Sequence, residues 1–273
     1  MPGLWCRLSV EVDYGNWQSA AFFYDSWLER SQGRPLSLAL GHYPSTNQLR
    51  SLLQPYINQI RSLLLLSIRE SQLESLLEDL PALQELVIAG MSPYRAAFVR
   101  SISKLLSTMR SLKILDVSPP FDLEHINSCS PVWAHLTNVE ITVYFANGVL
   151  LLLQLCLNLS SITIDVTREP KKPLEPLTHT GIQTFCIADT YSTTHQDFLS
   201  DLFNALSLPN LRVLKALSGA NAVPHQLLVA FLARSKCPLE SLIFSGRVRM
   251  TDVERAEYVA LIPSIDIVED PSC

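Results

Sequence analysis

The chain has 273 residues, with 26 Asp+Glu against 21 Lys+Arg, a formal charge of −5, 48% hydrophobic residues and 17% charged residues. So much apolar side chain with so little charge excludes a disordered tail, and 9 Gly with 17 Pro excludes a collagen-like or Gly/Pro low-complexity chain. The negative balance, with no basic run, argues against a nucleic-acid partner, because phosphate neutralisation supplies most of that affinity.

Along the chain one phrase, apolar-x-x-apolar-x-apolar, recurs. Two weaker copies come first, Trp5-x-x-Leu8-x-Val10 and Pro35-x-x-Leu38-x-Leu40. Stronger ones begin at Ile60, Leu83, Leu112, Leu136, Leu159, Ile182, Leu211, Leu239 and Ile262, with spacings of 23 to 29 residues. The last two apolar positions of each copy lie two apart, so they point to one face of a strand, and the residues between them point to the other.

The return segments read as helices. Ser71-Gln-Leu-Glu74 is a capping box ahead of Leu73, Leu76, Leu77 and Leu80. Tyr94, Phe98, Ile102, Leu105 and Leu106 share a helical face after Pro93. Phe198, Leu199, Leu202, Phe203 and Leu206 form a second stripe, and Leu227, Leu228, Phe231 and Leu232 a third after Pro224. Thr251-Asp-Val-Glu254 is another capping box, opening a helix toward Leu261. The stretch from Val166 to Thr180, with its Glu169-Pro-Lys-Lys-Pro run, reads as an exposed loop.

One strand and one helix per period is the pattern of a leucine-rich-repeat solenoid, an α/β fold with a curved parallel sheet and helices on its convex side. A doubly wound α/β sheet is the alternative, disfavoured by its longer units and by the absence of a Gly-rich phosphate turn. No Asn or Cys recurs after the strands, so the repeats are expected to be irregular. Residues 1–43 read as a linker and N-terminal cap with the first strands, and 44–273 as the solenoid. Trp5, Trp17, Phe22, Phe23 and Trp27 are expected to be core residues covering the first repeat.

The apolar stretch Val149 to Leu159 is broken by Gln154 and Asn158 and is short of the roughly 20 residues of a membrane span. The first residues show no secretory signal, and the six scattered cysteines contain no C-x-x-C pair. Reduced thiols in a cytoplasmic or nuclear protein are expected, with Cys156 and Cys186 as small buried hydrophobes.

Chemistry finds little support. There is no G-x-S-x-G elbow, P-loop, G-x-G-x-x-G or H-E-x-x-H. His195 beside Asp197 and Asp201 reads as the polar first turn of a helix, and Cys186 with His179 or His195 lacks any nucleophile signature. No catalytic residue, metal or cofactor is expected. A partner is expected on the outer strand face, where Asp116, Glu140, Thr142, Tyr144, Thr163 and Asp165 fall on neighbouring strands. Their carboxylates would share a negative field suited to a basic peptide, with Tyr144 as an aromatic anchor.

Two stretches carry a family resemblance. Pro2-Gly-Leu-Trp-Cys-Arg-Leu8 and Trp27-Leu-Glu-Arg-Ser-Gln-Gly-Arg-Pro-Leu-Ser-Leu-Ala-Leu40 resemble the segment just downstream of the F-box in fungal F-box proteins. There, P-x-L-W and then W-L-x-R-S-x-x-x-P-L-S-L lead into C-terminal leucine-rich repeats. The phrases Leu80-Pro-Ala-Leu83, Leu208-Pro-Asn-Leu211 and Cys237-Pro-Leu239 are in the same style. The resemblance implies a non-enzymatic substrate-recognition subunit of a cullin–RING ubiquitin ligase, with a protein or peptide as partner. Met1 directly precedes P-x-L-W, so the adaptor-binding helices are expected to be missing. A Skp-type adaptor is expected as partner only if an F-box lies upstream. The alternative function is a leucine-rich-repeat scaffold or enzyme regulator unrelated to ubiquitin.

Overall fold

A computed structural model describes residues 5–11, 17–41, 46–66, 76–77, 80–90, 102–103, 108–115, 120–168, 174–189, 197–218, 224–246 and 250–270. The chain divides into two compact units, one of residues 1–119 with 128–136, the other of residues 120–127 with 137–273.

The first unit carries five parallel strands in chain order: β1 (Arg7–Val10), β2 (Leu36–Leu40), β3 (Ile60–Leu66), β4 (Glu85–Ala89) and β5 (Ser111–Leu115). Two apolar columns run across them. Leu8, Leu38, Leu63, Leu86 and Leu112 are in register, as are Val10, Leu40, Leu65, Ile88 and Ile114, and all are buried. Each strand alone would leave these side chains in water; the neighbour's identical row removes them from it, at about 25 cal/mol per Å² of apolar surface. Helix α1 (Trp17–Glu29) returns the chain from β1 to β2, and α2 (Thr46–Leu53), followed by a 3₁₀ turn at Gln54–Tyr56, from β2 to β3.

The second unit repeats the plan with six parallel strands: β6 (Asn138–Phe145), β7 (Ser161–Arg168), β9 (Thr184–Asp189), β11 (Val213–Ser218), β12 (Ser241–Gly246) and β13 (Asp266–Asp270). A separate small pair, β8 (Leu177–Thr178) with β10 (Leu206–Ser207), lies outside this sheet. Val139, Ile162, Phe185, Leu214, Leu242 and Ile267 form the apolar column. Short helix α3 (Leu123–Ser128) precedes this sheet in sequence, α4 (Ser130–Trp133) belongs to the first unit, and α5 (Ala146–Leu155), α6 (Asp197–Ala205), α7 (His225–Ser235) and α8 (Asp252–Leu261) alternate with the strands of the second. An aromatic relay ties sheet to helices: Phe185 meets Phe203 edge-on at 6.3 Å, and Phe203 meets Phe231 at 5.0 Å. The guanidinium of Arg234 on α7 donates to the carbonyls of Phe203 and Leu206 at the C-terminal end of α6, where the helix dipole favours a cation.

Strict chain order within each sheet distinguishes this from a doubly wound fold, in which the strand order reverses at a switch point. Consecutive helices of the second unit pack on one another, α5 on α6, α6 on α7 and α7 on α8. The repeat-solenoid reading of the sequence therefore holds. Backbone hydrogen bonds also pass from repeat to repeat just before β4, β7, β9, β11 and β12. Gln84 N–H donates to Arg61 O, Ser160 to Thr137, Gln183 to Ser160, Arg212 to Gln183 and Glu240 to Arg212, at 2.8–2.9 Å. Turns preceding the strands close without a recurring Asn or Cys: the amides of Leu83, Leu136, Leu159 and Leu211 donate to Leu80, Trp133, Cys156 and Leu208. In Leu80-Pro-Ala-Leu83 and Leu208-Pro-Asn-Leu211 the proline sits second in that turn, the position its fixed φ suits. The capping box at Thr251 is complete, with Glu254 N–H on the Thr251 hydroxyl and the Glu254 carboxylate accepting from the Thr251 amide at 2.8 Å.

Four expectations need correction. At β5 the repeat begins at Met109 rather than Leu112. Leu86 pairs with Leu112 and Ile88 with Ile114, so Ile114, expected on the outer face, is buried at 1% exposure while Leu115 is half-buried. Leu112-x-x-Leu115 mimics the phrase three residues late, and an odd offset exchanges the two faces. At β2, Leu36 and not Pro35 takes the first apolar place: it pairs with Ile60, and a one-residue shift follows before Ser37 meets Ser62. On α1, Phe22 and Phe23 are not core but 70% and 69% exposed. The inward stripe is Trp17, Ala20, Ala21, Tyr24, Trp27 and Leu28, at helical spacing, and the two phenylalanines fall off it. In addition, Val166 lies within β7, which runs to Arg168, and Leu177–Thr178 is paired strand, so the expected 166–180 loop is shorter. The expected helices after Ser71 and Pro93 lie mostly outside the described residues, of which Leu76, Leu77, Leu80 and Ile102 are buried. No helix among the described residues is long and apolar enough to cross a membrane.

The corrected phase has a direct test. Ile114→Ala is expected to cost about 2–5 kcal/mol by chemical denaturation, whereas Lys113→Ala next to it costs under about 0.5 kcal/mol. Equal losses at both positions would return β5 to the other phase. Gly181→Ala is expected to destabilise by about 1–3 kcal/mol, because a Cβ there would stand 2.7 Å from the Leu159 carbonyl oxygen. A melting temperature equal to wild type would contradict that packing.

Candidate functional site

The inner rows of each strand are committed to the core, which leaves the alternate rows to face a partner. In the second unit the register sets these rows side by side. Glu140 lies beside Thr163, and Thr142 beside Asp165, on β6 and β7. Parallel strands are about 4.8 Å apart, so these four side chains form one contiguous patch. Glu140, Thr142 and Thr163 are half-buried, while Asp165, between Thr142 and Ala188, is only 9% exposed. Tyr144 continues the β6 row, half-buried, its ring 5.9 Å from that of Phe145. Phe121 pairs with β6 at Val143, on the edge away from β7: its amide donates to Thr142 O and its carbonyl accepts from the Tyr144 amide, at 3.0 and 2.8 Å.

Five of the six residues read as a site are thus on adjacent strands. Asp116 lies outside the described residues, and the parity that carried it to the outer face fails at Ile114.

The rows extend further than the acidic patch. Thr163 continues to Cys186, Lys215 and Ile243, and Asp165 to Ala188, Leu217 and Ser245. The face is therefore polar and acidic on β6 and β7 and mostly apolar from β9 to β12. Lys215 is the cation of that second half, three strands from Glu140 along one row. Selection by charge alone passed over Leu217 and Ile243, although the same alternation puts them on this face. Cys186 and Ser245 are 4% and 2% exposed, so small residues on this face lie below their larger neighbours.

Side chains suited to chemistry are held in structural roles. His179 is buried; the Gly181 amide donates to its Nδ1 at 3.2 Å, which leaves Nε2–H to donate to Cys156 O at 3.1 Å. His195 lies outside the described residues, and Asp201 is exposed on α6. His225 contacts the Glu257 carboxylate through Nε2 at 2.8 Å and packs edge-on against Tyr258 at 4.8 Å. That dyad resembles an acid–base pair, but its other nitrogen is buried rather than presented to a substrate. Burial pushes the thiols of Cys129 and Cys156 up to about 12 from an ordinary 9.0, so neither supplies a thiolate near neutral pH. Among the described residues no group of three His, Cys, Asp or Glu is placed to hold a metal ion.

No family model matches the chain, and no curated protein matches it. Among solved structures it is similar to the crystal structure of the Rad7 and Elc1 complex in yeast, at 13% identity and a TM-score of 0.38, over 96% of this chain and 84% of that one. That likeness is too distant to carry a partner across.

The buried thiols make a pH prediction. A group whose native pKa lies above its unfolded value stabilises the fold fully below the unfolded value and progressively less as pH climbs toward the native one. Cys129 and Cys156, and Tyr56, pushed up to about 12 first by burial and then by its bond to Asp25, act in that direction. Stability is expected to be flat from pH 7 to pH 8 and to fall between about pH 9 and 12. Thermal melting across that range checks it, and a melting temperature constant to pH 11 would refute it.

Proposed function

We propose that this chain is a non-enzymatic protein-interaction module that recognises its partner on the outer strand face, in the manner of the substrate-recognition part of an F-box protein. The observation that carries the interaction reading is the in-register patch of Glu140, Thr142, Thr163 and Asp165, continued by Tyr144. It presents the Glu140 carboxylate, two hydroxyls and one aromatic ring on strands whose other face already supplies the core, while Asp165 in the same patch is 9% exposed. Carboxylates beside half-buried hydroxyls suit a basic segment, and the apolar rows from Cys186 to Ile243 suit its hydrophobic residues.

The finer reading, recognition for a ubiquitin ligase, draws its support from the two motif stretches. Trp27 packs edge-on against Trp5, centroids 4.5 Å apart, and its indole N–H donates to the Trp5 carbonyl at 3.1 Å. The guanidinium of Arg30 lies 4.8 Å from the Trp5 ring centroid, in cation–π contact. Trp5 of the first motif and Trp27 and Arg30 of the second are therefore one packed cluster in the first unit, and Leu28 and Leu36 of the second motif are buried.

Affinity capture with quantitative mass spectrometry tests the interaction face. The Glu140→Ala, Thr142→Ala, Tyr144→Ala, Asp165→Ala variant is expected to lose at least tenfold of the signal of a specific partner, while Lys236→Ala, an exposed cation at the end of α7, keeps it. A quadruple variant that melts like wild type and captures every partner at full yield would overturn the proposal. Adaptor recruitment is a separate measurement, made by co-purifying a Skp-type adaptor with the longest reading frame that contains this chain. Lack of capture there would leave a scaffold or regulator unrelated to ubiquitin.

A further inference from the structure

The helical side of the first unit carries a second surface. Between α1 and α2 lies an open groove of about 470 Å³, lined by Trp17, Phe22, Asp25, Leu52 and Pro55 among others. That volume falls within the range of about 300–1,000 Å³ common to binding pockets. Phe22 stands 70% exposed on its rim, and Phe23, 69% exposed, meets it edge-on at 6.1 Å. Two adjacent aromatic rings in water beside a groove mark an interaction surface rather than the scattered apolar exposure of an ordinary surface.

The charge around the groove is one-sided. Asp25 lines it, and no lysine or arginine does. The Tyr56 hydroxyl donates to Asp25 Oδ1 at 3.0 Å and fixes that carboxylate on the wall. Helix α1 has no basic residue along its whole length and ends with Glu29 one turn beyond Asp25. The cation of α2, Arg50, is exposed and does not line the groove. A cleft with apolar walls at Trp17, Phe22, Leu52 and Pro55, polar side chains at Gln48 and Ser51 and an anchored carboxylate complements a chain segment that offers a large hydrophobic side chain next to a positive one.

We propose that the α1–α2 groove docks a basic amphipathic segment of a partner protein, with a hydrophobic side chain set between Phe22 and Leu52 and a lysine or arginine on Asp25. This surface shares no residue with the strand-face patch, so either can fail without the other.

The probe is a synthetic 14-residue peptide of leucine and lysine at helical spacing, with a counterpart in which glutamate replaces every lysine. Calorimetric titration of the full chain is expected to show binding of the lysine peptide, weakened by salt, and none of the glutamate peptide. Phe22→Glu is expected to weaken binding about tenfold and Asp25→Asn about threefold, the latter with a shallower salt dependence. Asparagine at position 25 keeps an acceptor for Tyr56, so that variant folds even where the other does not. Asp201→Asn, which removes the same charge from exposed α6, leaves binding unchanged. Any one of three results overturns the proposal: no binding of the lysine peptide, equal binding of both peptides, or wild-type affinity in both groove variants.

Discussion

Each short strand of this protein has an apolar face that it cannot bury by itself. In the first unit Leu63 is covered laterally by Leu38 and Leu86, and in the second Phe185 by Ile162 and Leu214. The backbone adds a matching constraint, since the amides just ahead of β4, β5, β7, β9, β11 and β12 donate to carbonyls at or just ahead of the start of the previous strand. Side-chain columns and hydrogen bonds thus advance in the same steps, and neither tolerates a register slip. Column members with a strand on each side are shut off from water, whereas Ile267 on β13 is only half-buried. The same constraint explains the freedom of the outer rows. Glu140, Thr163, Cys186, Lys215 and Ile243 share one row yet have little chemistry in common, because the fold asks nothing of that face beyond its size.

What could be read from the sequence was what this constraint dictates. The columns were legible because their spacing recurs, and the parity of β6 and β7 placed Glu140, Thr142, Thr163 and Asp165 together before any coordinates. The failures have the same origin. Leu112 and Leu115 satisfy the leucine spacing as well as Met109 and Leu112 do, and only pairing with Leu86 decides between them. Phe22 and Phe23 belong to a run of aromatics at helix-like spacing, yet the inward stripe from Trp17 to Leu28 excludes both. The burial of Asp165 was not legible at all, since it depends on the side chains of the strands flanking β7 rather than on its own neighbours in sequence.

Chemistry-bearing residues show a related division. A histidine or cysteine in such a fold is usually recruited to close a gap between repeats. His179 does this: one ring nitrogen meets the Gly181 amide and the other the Cys156 carbonyl, across the same tight approach that makes Gly181 necessary. Buried thiols such as Cys129 and Cys156 act as small apolar volumes, and the burial that suits them to packing removes their nucleophilicity.

Not all of the recurrent phrases are set by stacking. Leu80-Pro-Ala-Leu83 and Leu208-Pro-Asn-Leu211 are what stacked turns demand of any leucine-rich chain, because both leucines must be buried and the second position suits proline. Such residues say that the chain is a repeat protein and nothing about which one. The Trp5, Trp27 and Arg30 cluster is different. Stacking asks for an apolar group at the first position of the repeat, and many side chains would serve. It does not ask for an indole N–H on the Trp5 carbonyl or for a guanidinium against the Trp5 ring. The general architecture leaves that contact optional, and it joins residues 22 to 25 apart in sequence across the return from β1 to β2.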